Sequence, residues 1–141
     1  MGDDIEKKIW SYFKNMQTVF LATLDDDQPR VRPVTMLHFN EKLWVGTSAG
    51  DAKTKQVKRN NRVEFCLYIE EAEQKQGYIR GVCTVDIVED VVLKKQLADQ
   101  MPYFKYFWKG YDDPKYTLLR FNMREIEFLR PGSFKVAKVS L

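Results

Sequence analysis

Histidine and cysteine are nearly missing from this 141-residue chain, which has one histidine, His38, and two cysteines, Cys66 and Cys83. Three such residues at unrelated spacings match no metal motif. A Ser-His-Asp or Cys-His mechanism would have to run through His38 alone. Two thiols do not make a disulfide scaffold, and in a reducing compartment they stay free. Long apolar runs are absent too, and none approaches the roughly 20 residues that a membrane helix needs. The start, Met1-Gly2-Asp3-Asp4, carries acid where a secretory signal carries base. Glu6 stands where a myristoylation signal has Ser or Thr. A cytoplasmic protein is expected. Glycine and proline are sparse, at 7 and 5, and no repeat, low-complexity stretch or linker interrupts the chain, so residues 1–141 read as one domain. Also lacking are a G-x-G-x-x-G turn, a G-x-x-x-x-G-K-[ST] loop, a G-x-S-x-G elbow and H-E-x-x-H, which removes the commonest nucleotide, hydrolase and zinc-protease signatures.

What is present is mostly strand. Residues 3–16 predict an amphipathic helix, with Ile5, Ile9, Tyr12, Phe13 and Met16 at three- and four-residue steps and Asp3 or Asp4 placed to cap it. The period then changes. Thr18–Leu24, Arg30–Phe39 and Leu43–Thr47 read as strands joined by the polar turns 25–28 and 40–42, an antiparallel meander. Ala52–Arg59 is a second helix, stopped by Asn60-Asn61. Val63–Ile69 alternates cleanly, residues 70–76 form a polar connection, and Tyr78–Val88 alternates again. Val91–Met101 is helical, an aromatic stretch runs to Tyr111, and Asp112-Asp113-Pro114 breaks it. Thr117–Leu129 is a long strand whose inward face changes near Arg124, which predicts a bulge. Phe134–Val139 reads as a short final strand. The sum is about six strands and three helices: a mainly β, antiparallel Greek-key-like barrel with helices at its ends.

Two features carry chemistry. Arg30 and Arg32 leave one face of a strand, and Pro33 next to them withholds a ladder donor, as at an edge or a break in pairing. The segment Gly46-Thr47-Ser48-Ala49-Gly50-Asp51-Ala52-Lys53-Thr54 combines hydroxyls with a helix start that carries Lys53. Free N–H groups and the positive end of a helix attract anions. A guanidinium and an ammonium beside them would complete a phosphomonoester site. The plainer alternatives are a solvated basic face over Lys53, Lys55, Lys58, Arg59 and Arg62, and arginines that pair with Asp25 to Asp27. The second feature is the block Tyr103-Phe104-Lys105-Tyr106-Phe107-Trp108-Lys109-Gly110-Tyr111, with six aromatics in nine residues. At least half of them read as core or dimer filling; one or two, Trp108 first, would cover a planar ligand.

In this order the features resemble a known family. The helix before Thr18-Val19-Phe20-Leu21-Ala22-Thr23, then Gln28-Pro29-Arg30-Val31-Arg32-Pro33-Val34, Leu43-Trp44-Val45-Gly46-Thr47-Ser48, the run Lys53 to Val63 and the block Tyr111 to Phe121 are similar to the FMN-binding split-barrel proteins related to pyridoxamine 5'-phosphate oxidase, in the general-stress-protein-like branch. The resemblance covers Ile5 to Phe134. It implies a six-stranded split β-barrel, a homodimer with FMN at the interface, and an oxidoreductase-like flavoprotein of unassigned substrate and electron donor. Carried over, Arg32 and Lys53 match the phosphate-binding cations, with Arg30 as helper. Thr47, Ser48 and Thr54 match the hydroxyl positions near the phosphate and ribityl chain. The backbone of Val31, Arg32, Pro33 and Val34 would follow the isoalloxazine edge, and Trp108 would approach the ring from the partner subunit. The oxidase proper is longer and holds its substrate with a C-terminal Arg/His signature. Here Phe128-Leu129-Arg130-Pro131-Gly132-Ser133-Phe134 stands in that place without a histidine, so the resemblance does not extend to pyridoxamine phosphate oxidation. Relatives also include haem and deazaflavin binders.

Three readings therefore stand. The first is an FMN-dependent oxidoreductase-like protein, with no residue singled out as general acid or base and no metal site. A second is a module that holds or senses flavin without turnover. A third is a barrel that binds single-stranded nucleic acid through interleaved basic and aromatic residues. The modest surplus of +3 and the placement of the aromatics outside the strands speak against the third. Neither nucleic acid nor membrane is an expected partner.

Overall fold

Alternation with a period of two decides the architecture. In β1 (Met16–Asp25) every second residue from Val19 to Thr23 is buried. The same holds from Val63 to Ile69 in β4 (Arg62–Ala72) and from Gly77 to Val85 in β5 (Lys75–Val88). Strands with one buried face satisfy their backbone groups by pairing edge to edge. Together with β2 (Gln28–Phe39), β3 (Lys42–Ser48) and β6 (Tyr116–Leu129), they line up in the order β3-β2-β1-β4-β5-β6. β3 pairs with β6 as well, from Leu43↔Phe121 to Ser48↔Tyr116, and this closes six strands into an antiparallel ring. The return of β4 to pair with β1 instead of β3 gives the expected Greek-key order. The computed structural model describes residues 2–141, with side-chain surroundings from Asp4 onward.

Local differences from the sequence reading have plain causes. The first helix, α1 (Gly2–Ser11), ends before Met16, because Met16 is drawn into the β1 ladder opposite Leu37. The N–H groups of Tyr12 and Phe13 close its last turn by bonding to Ile9 and Trp10 carbonyls at 3.1 Å. Asp4 lies inside the helix, and the side chain of Asp3 lies outside the described residues. The polar stretch 70–76 continues both strands to a tight hairpin at Glu73-Gln74, where Gln74 takes a φ of 65°. A seventh strand, β7 (Val136–Ser140), pairs with the far half of β6. The bulge expected near Arg124 is there: Val82 pairs with Glu125 and Cys83 with Met123, which leaves Arg124 unopposed. It changes the parity of β6, so Leu119 and Phe121 before it and Ile126 and Phe128 after it all reach one core.

Two apolar cores result. The barrel interior gathers Val19, Leu21, Phe65, Ile79, Leu119 and Ile126 among others. Ile9 of α1 and Phe13 just beyond it close one end, near the start of β1. α2 (Ala52–Arg59) packs near the other end, where Val57 joins the core and Gln56 meets Thr23. The second core lies outside the barrel, where α3 (Val91–Asp99) and the single turn α4 (Phe104–Phe107) cover the outer faces of β3 and β6. Leu97, Met101, Phe104 and Trp108 pack there against Trp44, Tyr116 and Leu118. Gly46 makes that contact possible, since a Cβ on it would meet Met101 Cε at 2.6 Å.

Candidate functional site in the split between two strands

The ladder between β2 and β3 is short. It runs from Phe39↔Lys42 to Leu37↔Trp44 and stops. Continued in register, Met36 would face Val45, Thr35 would face Gly46 and Pro33 would face Ser48, but the strands separate instead. The sequence predicts interrupted pairing at Pro33, which has no N–H to give; the ladder to β3 already ends at Leu37, while Pro33 still pairs with Phe20 of β1. A cavity of about 250 Å³ occupies the gap. Pro33, Val34 and Thr35 form one wall, and Val45 to Ser48 form the other. Asp51 and Lys53, at the start of α2, stand at one side, and Tyr103, Phe107 and Trp108 cover it from the α4 segment.

The charges at the α2 end are organised around one carboxylate. Asp51 occupies the position before the helix but does not cap it. Its Oδ2 instead accepts from Thr47 Oγ1 at 2.8 Å, Lys53 Nζ at 3.1 Å and the Ser48 N–H at 3.3 Å. Burial pushes the Asp51 carboxyl up. The hydrogen bonds from Thr47, Lys53 and Ser48 and the lysine charge together outweigh it and hold the group below its ordinary range. The Lys53 side chain is only 19% exposed. Trp108 donates its Nε1–H to Ser48 Oγ at 3.0 Å, which joins the aromatic cover to the end of β3. Trp108 reaches the cavity from its own chain.

The other expected site residues lie close by or apart. Arg32 does not line the cavity. Its guanidinium donates to the Leu21 carbonyl at 3.2 Å and to Gln56 Oε1 at 2.9 Å, and Gln56 also accepts the Thr23 hydroxyl. Burial, then the neighbouring Arg30 charge, lowers the Arg32 pKa from its ordinary value. Gln56 is three residues beyond Lys53 on α2, so both cations address the same helix face. Arg30 is exposed and 3.8 Å from Asp25, the plain pairing described above. Val31 is exposed on the outer face of the sheet. Thr54 is fully buried, and its hydroxyl donates to the Ser48 carbonyl at 2.8 Å, pinning α2 to β3.

Thr35, Val45, Gly46, Asp51, Tyr103 and Phe107 were not among the expected site residues, although they line the cavity. Asp51 stands in the segment that the sequence singles out, where its position before α2 predicts a helix start and not a cavity-wall carboxylate. Phe107 is 64% exposed and Tyr103 half-buried, and neither position follows from a periodic pattern. Tyr103 Oη is buried without a hydrogen-bond partner, a free polar group in the cavity wall. Burial raises its pKa above the usual tyrosine value. Neither thiol suits a nucleophile: burial pushes Cys83 up to about 12 and also raises Cys66. Among the described residues no cluster of His, Cys, Asp and Glu could hold a metal ion, and no helix is long and apolar enough to cross a membrane.

Comparison with curated proteins finds no match. Solved structures share the fold. A NimC/NimA family protein from Clostridium acetobutylicum superposes with a TM-score of 0.79 at 24% identity, covering 96% of this chain and 91% of that one. General Stress Protein 26 from Bacillus anthracis gives 0.79 at 23%, covering 97% and 98%. A heme binding protein from Mycobacterium smegmatis gives 0.74 at 13%, covering 89% of this chain and 53% of its own. The family model for pyridoxamine 5'-phosphate oxidase matches residues 5–130. That match spans the whole ring, the split beside Pro33 and the start of α2, and the chain belongs to the pyridoxamine 5'-phosphate oxidase family.

Proposed function

We propose that the chain is an FMN-binding, oxidoreductase-like flavoprotein that works as a homodimer in the cytoplasm. The observation that carries this reading is the coincidence of three features at one place. Two strand edges part beyond Leu37 and Trp44, a cavity lies between them, and the positive start of an uncapped helix with Lys53 borders it. Unpaired strand edges offer N–H and C=O groups to the polar rim of a flat heterocycle. Lys53, Thr47 and Ser48 would hold the phosphate, with Arg32 supporting the same helix face through Gln56. Tyr103 Oη is free to hydrogen-bond a polar ligand atom, and Phe107 offers an apolar face. When bound, FMN would supply the hydride or electron chemistry. The chain's own residues would bind, orient and shield it.

A cavity of about 250 Å³ is small for such a ligand, since sites for drug-sized molecules run from about 300 Å³ upward. A second copy would complete it. The outward face of β2, β1, β4 and β5 carries exposed Val31, Phe20, Tyr68 and Val82 around the Glu64–Arg80–Glu127 ion pairs, a mixed apolar and charged surface that a partner copy would cover. Cys66 and Cys83 are free thiols, in keeping with a reducing compartment.

The test is a titration with FMN followed by the two visible absorption bands, with sedimentation of the same sample. One FMN per chain in a dimer is expected. A monomer, or a protein that takes up no FMN, would end the proposal. A second reading, a flavin-holding module without turnover, has one observation in its favour. The two cavity-wall groups with a shifted pKa, Asp51 downward and Tyr103 upward, both move away from neutrality, so neither is poised as an acid or base near neutral pH. Stopped-flow mixing with NADH and NADPH separates the two: reduction of the flavin by either supports the oxidoreductase, and none by both supports the module.

A further inference from the structure

Asp51 does something unusual for its position. An aspartate just before a helix ordinarily accepts N–H groups of the first turn. This one turns away from α2, toward the end of β3, and leaves the helix without a side-chain cap. Its Oδ2 collects a hydroxyl from Thr47, an ammonium from Lys53 and the N–H of Ser48, all within 3.3 Å. Thr54 fixes the same loop from below by its bond to the Ser48 carbonyl. Hydroxyl, ammonium and strand N–H are a donor set that a phosphate oxygen would use. A carboxylate and a phosphate cannot share it, because like charges at such separations repel strongly in a half-buried site.

We propose that Asp51 is a built-in stand-in for the ligand's phosphate. It keeps Thr47, Ser48 and Lys53 in a phosphate-ready arrangement while the site is empty. An incoming phosphate must displace it from all three donors. The residue thereby weakens binding of phosphorylated ligands selectively and keeps the cofactor exchangeable. This inference rests on the phosphate-binding reading of the cavity given above.

The experiment compares wild type with Asp51→Asn, using FMN and riboflavin, which differ by the phosphate alone. Asn has the same shape and can still accept from Thr47, but it carries no charge. FMN is expected to bind about tenfold more tightly to D51N, with riboflavin affinity unchanged. Unchanged or weaker FMN binding overturns the proposal. So does an equal gain for both flavins, which would make Asp51 a shaper of the cavity instead of a stand-in. Should D51N fail to fold, Asp51→Ser takes its place in the same comparison. If neither protein binds any flavin, the cofactor reading itself has failed, and inorganic phosphate then decides the matter. Greater thermal stabilisation by phosphate in D51N than in wild type, against chloride at equal ionic strength, sustains the stand-in role. Equal or absent stabilisation overturns it.

Discussion

The two apolar cores are built from different material and serve different ends. The barrel interior is largely aliphatic, filled by alternate residues of every ring strand and sealed by Ile9 and Phe13. The outer core is richer in aromatic rings, and three of them have their polar atom tied, Trp44 Nε1 to the Phe39 carbonyl, Trp108 Nε1 to Ser48 Oγ and Tyr116 Oη to the Lys94 carbonyl, while Tyr103 Oη at the cavity wall has no partner. The first core needs only volume and pattern, so it fixes the ring. The second needs particular atoms at particular places, so it can position a cavity wall. Stability and site geometry are divided between them.

Five substitutions would break or sharpen that division. Removing a large interior side chain should have the greatest effect. Phe65→Ala, at a fully buried ring, is expected to cost about 3–5 kcal/mol in urea unfolding while the folded fraction still binds FMN normally. A loss of affinity without loss of stability would reverse the division. Next come the cations between the cores. Lys53→Ala should weaken FMN by about 1.5–3 kcal/mol in a fluorescence titration, as for a hydrogen bond to a charged group, and Arg32→Ala, which acts through Gln56, by less. Unchanged affinity in both would remove the site. Trp108→Phe keeps most of the ring but drops the bond to Ser48, so about 0.5–1.5 kcal/mol of stability is at stake. Its flavin affinity should fall, which Phe65→Ala should not show. The smallest effect concerns acid. Asp86, through hydrogen bonds from Asn122 and Arg120, and Asp51, with burial opposing but outweighed by its donors, are held below their ordinary value of 3.8. A carboxyl depressed by folding stabilises above its unfolded value, and that contribution disappears as pH falls through the folded value. Stability should therefore be level near neutrality and decline below about pH 4. In Asp86→Asn the decline should be shallower, as read by thermal melts at stepped pH.

Much of this was legible in the chain. The bulge at Arg124 could be read because buried parity must reverse there, a local constraint that no distant residue can override. The parting of β2 from β3 was legible only roughly: Pro33 lies in the parted stretch, but the ladder already ends at Leu37 and Trp44, where no proline acts. The end of α1 was not legible, since Met16 fits a helical stripe as well as a strand and only pairing with Leu37 decides between them. The site was legible in part. Lys53, Thr47 and Ser48 could be placed because the strand-to-helix turn brings them together. Arg32 was expected in the cavity wall and instead reaches Gln56, a contact that depends on how α2 lies across β1. Asp51 and Phe107 were missed because their side-chain directions follow from tertiary packing, on which neither charge nor spacing bears.

β6 is shared by β3, β5 and β7, and its successive side chains Leu118 and Leu119 enter the outer core and the barrel in turn. The β3 wall of the cavity, paired with β6 from Leu43 to Ser48, is therefore part of the last unit to come apart, not a flap that can open by itself. Whatever breathing admits a ligand is left to the α4 turn, where Tyr106 and Phe107 already face water.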